Sequence, residues 1–190
     1  MKSGLRILGL DDGPFKRDSD TKTVLVGVLM RVNSYVEGIS VRNITVDGID
    51  STETILSMVY GRFREDIDFI MSNGITFAGF NIMDISRINQ ITGIPIISIT
   101  RKKPDMDSMF SALELHFSDY AERIEILKKT SVNEIGYDGK KLYINCSGIS
   151  QNEAIYLIKK TTVMGNIPEP IRIAHLIATA IINGESHGKT

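Results

Sequence analysis

Between residues 5 and 46 the sequence carries three apolar runs joined by short polar connections, and this limits the fold more than anything else in the chain. The first run is Leu5-Arg6-Ile7-Leu8-Gly9-Leu10. The second covers 23–32 and is almost wholly apolar over Val24-Leu25-Val26-Gly27-Val28-Leu29-Met30. A strand that apolar is one covered on both faces, since a half-exposed strand alternates. The third run carries Ile39, Val41, Ile44 and Val46. Connections this short favour antiparallel neighbours, because a parallel pair needs a crossover of a dozen residues or more.

Helix and strand then alternate. Asp50-Ser51-Thr52-Glu53 reads as a helix start, with Asp50 as N-cap and Glu53 closing a capping box. An apolar strand over 67–71 ends at Asn73-Gly74. Ile82, Ile85, Ile88 and Ile91 recur at helical spacing, and a second apolar strand occupies 94–99. Met109, Leu113, Phe117, Tyr120, Ile124 and Leu127 predict one or two further helices. Asp138-Gly139 joins 132–137 to 140–144 as a hairpin. Ser150 and Glu153 form a second capping box, and Glu169-Pro170 opens a last helix that Asn183-Gly184 closes. That helix is apolar almost all round, which predicts substantial burial. With no repeat or linker, one domain over 1–184 is expected, followed by a flexible tail over 185–190.

A three-strand meander followed by two strand–helix crossovers is the element order of the ribonuclease H-like fold. The expected class is therefore α/β: a mixed five-stranded sheet flanked by helices, with an added C-terminal hairpin and helices. In that arrangement the first and fourth strands are neighbours, so Asp11 and Asn73 should meet at their ends. Composition excludes little. With 190 residues, 42% hydrophobic and 24% charged, the chain is ordinary for a soluble globular protein. A net charge of −1 gives no global attraction for a polyanion. One cysteine, Cys146, excludes an internal disulfide, and no run reaches the roughly 18 apolar residues of a membrane span. The expectation is a cytoplasmic protein with no membrane contact.

Candidate chemistry begins where the first run meets Asp11-Asp12 and then Gly13-Pro14. Asp11, at the end of a rigid strand, is the candidate catalytic and metal-binding acid. Asp12 reads first as a turn residue and second as a further metal ligand. Asp50, with Asp47 or Glu53, could complete an ion's shell, although Asp50 and Glu53 read more simply as the capping box. Asn73 is either turn chemistry or a site residue. The loop 74–81 contains Gly79 and offers backbone N–H groups to a phosphate. Arg101, Lys102 and Lys103 follow a strand and are candidates for nucleic-acid phosphates. His116 and His175 lie on apolar helix faces and read as core or interface histidines. Cys146 reads as structural.

Four segments, in order, resemble endonuclease V, which nicks nucleic acid beside deaminated purines. They are Leu8-Gly9-Leu10-Asp11; residues 68–74 with 93–101; Ser147-Gly148-Ile149-Ser150; and Ile167-Pro168-Glu169-Pro170-Ile171-Arg172-Ile173-Ala174-His175. Asp11-Asp12-Gly13-Pro14-Phe15, Phe77-Ala78-Gly79-Phe80-Asn81 and Gly184-Glu185-Ser186 are similar to archaeal endonuclease V-like proteins of unassigned activity. The resemblance puts the family's first metal-binding Asp on Asp11. It puts the second ligand, a Glu, on Thr54 and the third, an Asp, on Asn73. The family's Lys falls on Arg101, a His falls on Ile149, and the base-wedging Tyr falls in 44–47, where no aromatic stands. Holding two divalent ions about 4 Å apart takes several anionic oxygens, and Thr54 and Asn73 are neutral.

The resemblance thus implies an endonuclease V-like protein associated with DNA or RNA, its ordinary metal-dependent nuclease activity altered or absent. Two alternatives stay open. One is a phosphodiesterase whose carboxylates regroup around magnesium or manganese. The other is a scaffold or ligand binder, for which a homodimer is a compatible state.

Overall fold

All the runs expected as strands pair into one sheet. The computed structural model describes residues 4–32, 35–137 and 139–188. Its first strands are β1 (Arg6–Asp12), β2 (Lys22–Arg31) and β3 (Val36–Thr45), an antiparallel meander. Helix α1 (Ser51–Val59) leads to β4 (Phe69–Asn73), which lies parallel to β1. A small two-stranded sheet, β5 (Thr76–Phe77) and β6 (Asn81–Ile82), comes next. Helix α2 (Ile85–Thr92) crosses to β7 (Ile96–Thr100), parallel to β4. Then come α3 (Met106–His116), α4 (Tyr120–Lys128), the hairpin β8 (Asn133–Tyr137) and β9 (Lys140–Ser147), α5 (Gln151–Thr161) and α6 (Glu169–Asn183).

The strand order is β3-β2-β1-β4-β7-β9-β8. The five strands expected as the whole sheet are five of seven, because the hairpin is part of the sheet and not an addition to it. The reason lies on β7, whose Ile97 and Ile99 would otherwise border an open edge. β9 pairs antiparallel along it, with Cys146 opposite Ile97 and Ile144 opposite Ile99. The hairpin's Asp138 lies outside the described residues, and Gly139 takes φ +71°, as a tight two-residue turn requires.

Both sheet faces are covered. Val24, Val26 and Val28 pack under Ala174 and Ala178 of α6, while Leu25 and Leu29 join Ile55 and Met58 of α1 on the opposite face. Helix α5 sits beside α6, burying Leu157 and Ile158 against Ile97 and Ile99. Burial of α6 is less complete than its composition predicts. Pro170, Ile171, Ala174 and Ala178 face the sheet, and Ile181 and Ile182 are exposed. One helix layer has nothing above it to bury a second apolar side. Among the described residues no helix is long and apolar enough to cross a membrane.

Two local differences shape the site. First, β1 runs on through both acids: Asp11 is paired with Val26 and Asp12 with Leu25, and the Gly13 N–H still donates to the Val24 carbonyl. Asp12 is therefore a strand residue, and the turn begins only at Gly13-Pro14. Second, Asp50 precedes α1 without capping it. Its carboxylate turns back to Thr45, accepting from Oγ1 at 2.7 Å, and to the Asn81 amide at 2.5 Å. The buried Ser51 N–H at the helix start is satisfied instead by Asn81 Oδ1 at 2.9 Å. Glu53, expected to complete that capping box, pairs with Arg87. The second expected box, Ser150 with Glu153, is formed.

Candidate functional site

Alternation along β1 separates the two acids. Gly9 and Asp11 face α6, and Leu8, Leu10 and Asp12 face the other side. Helix α6 starts hard against the sheet, where a Cβ on Gly9 would overlap the backbone of Pro170. Only glycine permits that approach. From the contact, two strand residues rise about 6.6 Å to Asp11, and five helical residues rise about 7.5 Å to His175. The two side chains arrive level. His175 Nδ1 lies 2.9 Å from Asp11 Oδ2.

Asp11 is 2% exposed. Besides His175 it accepts from the Asn73 amide, at 3.3 and 3.4 Å to its two oxygens, and from the Asp12 N–H at 3.1 Å. The expected meeting of Asp11 and Asn73 across neighbouring strand ends is thus present. The Asp11 hydrogen bond pulls the His175 pKa up, burial opposes it, and the charges of Asp11 and Asp12 add to the rise. Arg101 is near enough for its charge to lower the same pKa. The sequence signal for His175 was there, in the Pro-Glu-Pro-Ile-Arg-Ile-Ala-His segment, but an apolar helix face suggested a core histidine. Its side chain is 57% exposed and opens into a cleft.

That cleft has a volume of about 630 Å³ and is lined by Asp11, Asn73, Arg101, Arg172 and His175. Glu185 to Gly188, expected within a loose tail, form its far wall, and residues 189–190 lie outside the described residues. Arg172 is held by Glu169 through two bonds, whereas Arg101 lines the cleft beside the Asp11-bound His175. Lys102 and Lys103 are exposed and line a second cavity of about 510 Å³ that shares Asn73 and Arg101 with the first.

Asp12 does different work. Its Oδ2 accepts from the Ala78 N–H at 2.7 Å, fixing a loop in which Ala78 sits at φ +44°. Burial, with the charge of Asp11 beside it, pushes Asp12 up to about 6 against the lowering pull of that N–H. Gly79 also belongs to this loop. The next N–H, of Phe80, is taken by Asp47 Oδ1 at 2.8 Å. A carboxylate of the chain itself thus occupies the place offered to a phosphate, and Arg123 ties the same loop down through the carbonyls of Asp47, Gly48 and Phe80. Asp84 caps α2, accepting from the Arg87 N–H. Burial raises the Cys146 thiol to about 11, so it is inert at neutral pH.

The donors suit two divalent ions poorly. Among the described residues no group of three or more Asp, Glu, His or Cys side chains is arranged to hold an ion. Asp50 is consumed by Thr45 and Asn81, Asp12 borders a pocket with Asp11 but has its Oδ2 taken by the Ala78 N–H, and Thr54 lines neither pocket at Asp11. Asp11 with the neutral Asn73 amide is a donor set short of the anionic oxygens that two divalent ions need.

A family model described as Endonuclease dU matches residues 3–182. The chain belongs to the Endonuclease dU family. Its relatives include the UPF0215 protein of Pyrococcus horikoshii, 42% identical over 98% of this chain and 96% of that one. The UPF0215 protein of Methanosarcina mazei is 40% identical over 100% and 96%. A crystal structure of a protein of unknown function from Archaeoglobus fulgidus superposes with TM-score 0.86 at 40% identity, covering 95% of this chain and 99% of that one. Endonuclease V of Ciona intestinalis, solved with a 23mer DNA containing an inosine, gives TM-score 0.60 at 12% identity, covering 90% and 82%. The chain therefore shares the fold of that endonuclease V. The resemblance drawn from short motifs holds over nearly its full length.

Proposed function

We propose that this chain binds nucleic acid across the carboxyl ends of β1, β4 and β7 and acts on a phosphodiester of a deoxyuridine-containing strand. In place of an ordinary two-metal centre it uses a carboxylate–imidazole pair. The observation that carries this reading is the 2.9 Å contact between buried Asp11 and half-open His175, with Arg101 on the same cleft. The family description supports the substrate class, and the strand order β3-β2-β1-β4-β7 supports a ribonuclease H-like reading of the central sheet.

Asp11 fixes the His175 ring through Nδ1, so the other ring nitrogen presents to the cleft. Because Asp11 raises its pKa, His175 keeps its proton further toward neutral pH than a free imidazole does. A phosphate between His175 and Arg101 meets two positive donors. As water adds to phosphorus and releases a proton to solvent, the P–O ester bond breaks and His175 passes its own proton to the leaving oxygen, regaining one from solvent afterwards. Magnesium or manganese enters this reading only as a single ion at Asp11.

The test is cleavage of an oligonucleotide carrying one deoxyuridine. Asp11→Asn should slow it about a hundredfold or more, while chelation with EDTA should change the rate less than about tenfold. Cleavage lost to EDTA, regained with magnesium and indifferent to Asp11→Asn would sink the proposal, as would failure to bind any oligonucleotide.

A further inference from the structure

The two edges of the sheet are unlike. β8 is five residues long and carries the Glu134–Lys141 ion pair. β3 runs for ten residues with neither proline nor lysine, the usual means of blunting an edge. One contact just past its end tells which backbone groups are free. The Val46 N–H donates to the Thr21 carbonyl, so residues 44, 42, 40 and 38 turn their backbone groups toward β2. The odd-numbered residues turn theirs outward. Thr45 is closed off, its N–H by Asp50 and its carbonyl by Asn81. Among the described residues the Val41 carbonyl is met only by the adjacent Arg42 guanidinium. At the other end the register shifts between Leu29 and Met30, which sets Glu37 in a bulge and ends regular pairing. The free edge is therefore Ile39 to Asn43. Its Ile39 and Val41 are 50% and 40% exposed. They stand opposite Val28 and Val26, hence on the α6 face, but α6 packs on β1 and β2 and stops short of them. On the α1 face Gly38 lies under Phe63, where a Cβ would overlap the ring.

We propose that β3 pairs antiparallel with β3 of a second copy of this chain, about a two-fold axis through Ser40, joining the two sheets edge to edge. The strand is complementary to itself in this register. Ile39 of each copy meets Val41 of the other, both with outward backbone groups, so about four backbone hydrogen bonds form around one apolar cluster. Arg42 falls opposite Gly38, which has no side chain to obstruct it, and within reach of the Phe63 ring. It also comes beside the Glu37 end of the other strand, so unlike charges meet. Offsetting the strands by one residue would set outward groups against inward ones. Moving the axis to Val41 would put each Ile39 against Asn43. Strand β1 of one copy then runs antiparallel to β1 of the other, five strand spacings or about 24 Å away. The two Asp11 clefts open at opposite ends of the joined sheet, clear of the interface, so the dimer does not depend on what those clefts bind.

Sedimentation equilibrium over a dilution series should show a dimer that dissociates as it is diluted. Ile39→Lys puts a charge against Val41 twice per interface and should weaken dimerisation about tenfold or more. Because Ile39 is exposed in the single chain, the melting temperature of the dilute variant should match wild type. Ser40→Cys should give a disulfide-linked dimer under mild oxidation, since facing residues of a non-hydrogen-bonded pair have Cα atoms about 4.5 Å apart. Val41→Cys should not, because its two copies would stand about 8 Å apart. Wild type, with Cys146 alone, supplies the background. A chain that is monomeric at every concentration overturns the proposal. So does a dimer that Ile39→Lys leaves intact, that Ser40→Cys fails to bridge, or that Val41→Cys bridges as readily.

Discussion

Asp11 and Asp12 are adjacent in sequence and chemically identical, yet they belong to different parts of the molecule. Asp11 faces α6, meets His175 and Asn73, and borders a cleft that Arg101 also lines. Asp12 faces the loop 74–81 and holds the strained Ala78 in place. Strand alternation, not residue type, assigns the roles. A pair of acids that looks like a ready-made ion site is divided between two sets of partners, His175 and Asn73 for Asp11 and the Ala78 N–H for Asp12, although each acid still feels the other's charge.

The largest effect should come from restoring a carboxylate on Asp11's side. Asn73→Asp removes the amide that donates to Asp11 and sets two negative groups together. The variant should melt well below wild type in EDTA and recover several degrees in manganese, while wild type responds little. Equal manganese responses would break the claim that the native donors do not form a two-ion centre. Next in size is Gly9→Ala, which forces Pro170 away from β1 at a cost of about 3 kcal/mol. Denaturant unfolding reads the loss, and any remaining activity should fall with it, because α6 carries His175.

Asp12→Asn should do the opposite of harm. A carboxyl raised to about 6 in the folded state binds more protons there than when unfolded, so its contribution is full in acid and is lost as pH rises through 6. Asparagine keeps an acceptor for Ala78 and removes the charge. Stability at pH 7.5 should rise by about 1–2 kcal/mol after solvent screening, with almost no gain at pH 4. A loss at pH 7.5 would mean that the ionised carboxylate itself is needed. The smallest effect is spectroscopic. NMR titration of His175 should give a pKa above the 6.5 of a free imidazole, falling clearly in Asp11→Asn and only slightly in Asp12→Asn. The pairing of His175 with Asp11 is complete below that value and is lost as pH climbs through the raised one.

Much of the fold was legible because apolar runs and turn residues act locally. The uniformly apolar 24–30 run required two covered faces, and α1 and α6 supply them. The neighbouring ends of β1 and β4 followed from element order. Less legible were features decided by a distant partner. Nothing near Asp50 in sequence says that Asn81 will satisfy Ser51 and release Asp50 toward Thr45. Nothing near Gly9 says that Pro170 will rest on it, yet that contact brings His175 to Asp11. The row Ser72, Ser98 and Asn145 exists only once three strands are in register.

In the proposed function Asp11, with His175, does the chemistry and Asp12 does not. The most direct measurement is single-turnover cleavage of one deoxyuridine-containing oligonucleotide by wild type, Asp11→Asn, His175→Ala and Asp12→Asn, side by side. Losses of about a hundredfold or more are expected in the first two variants and of less than about threefold in Asp12→Asn. Equal losses at Asp11 and Asp12, with His175→Ala fully active, would contradict it.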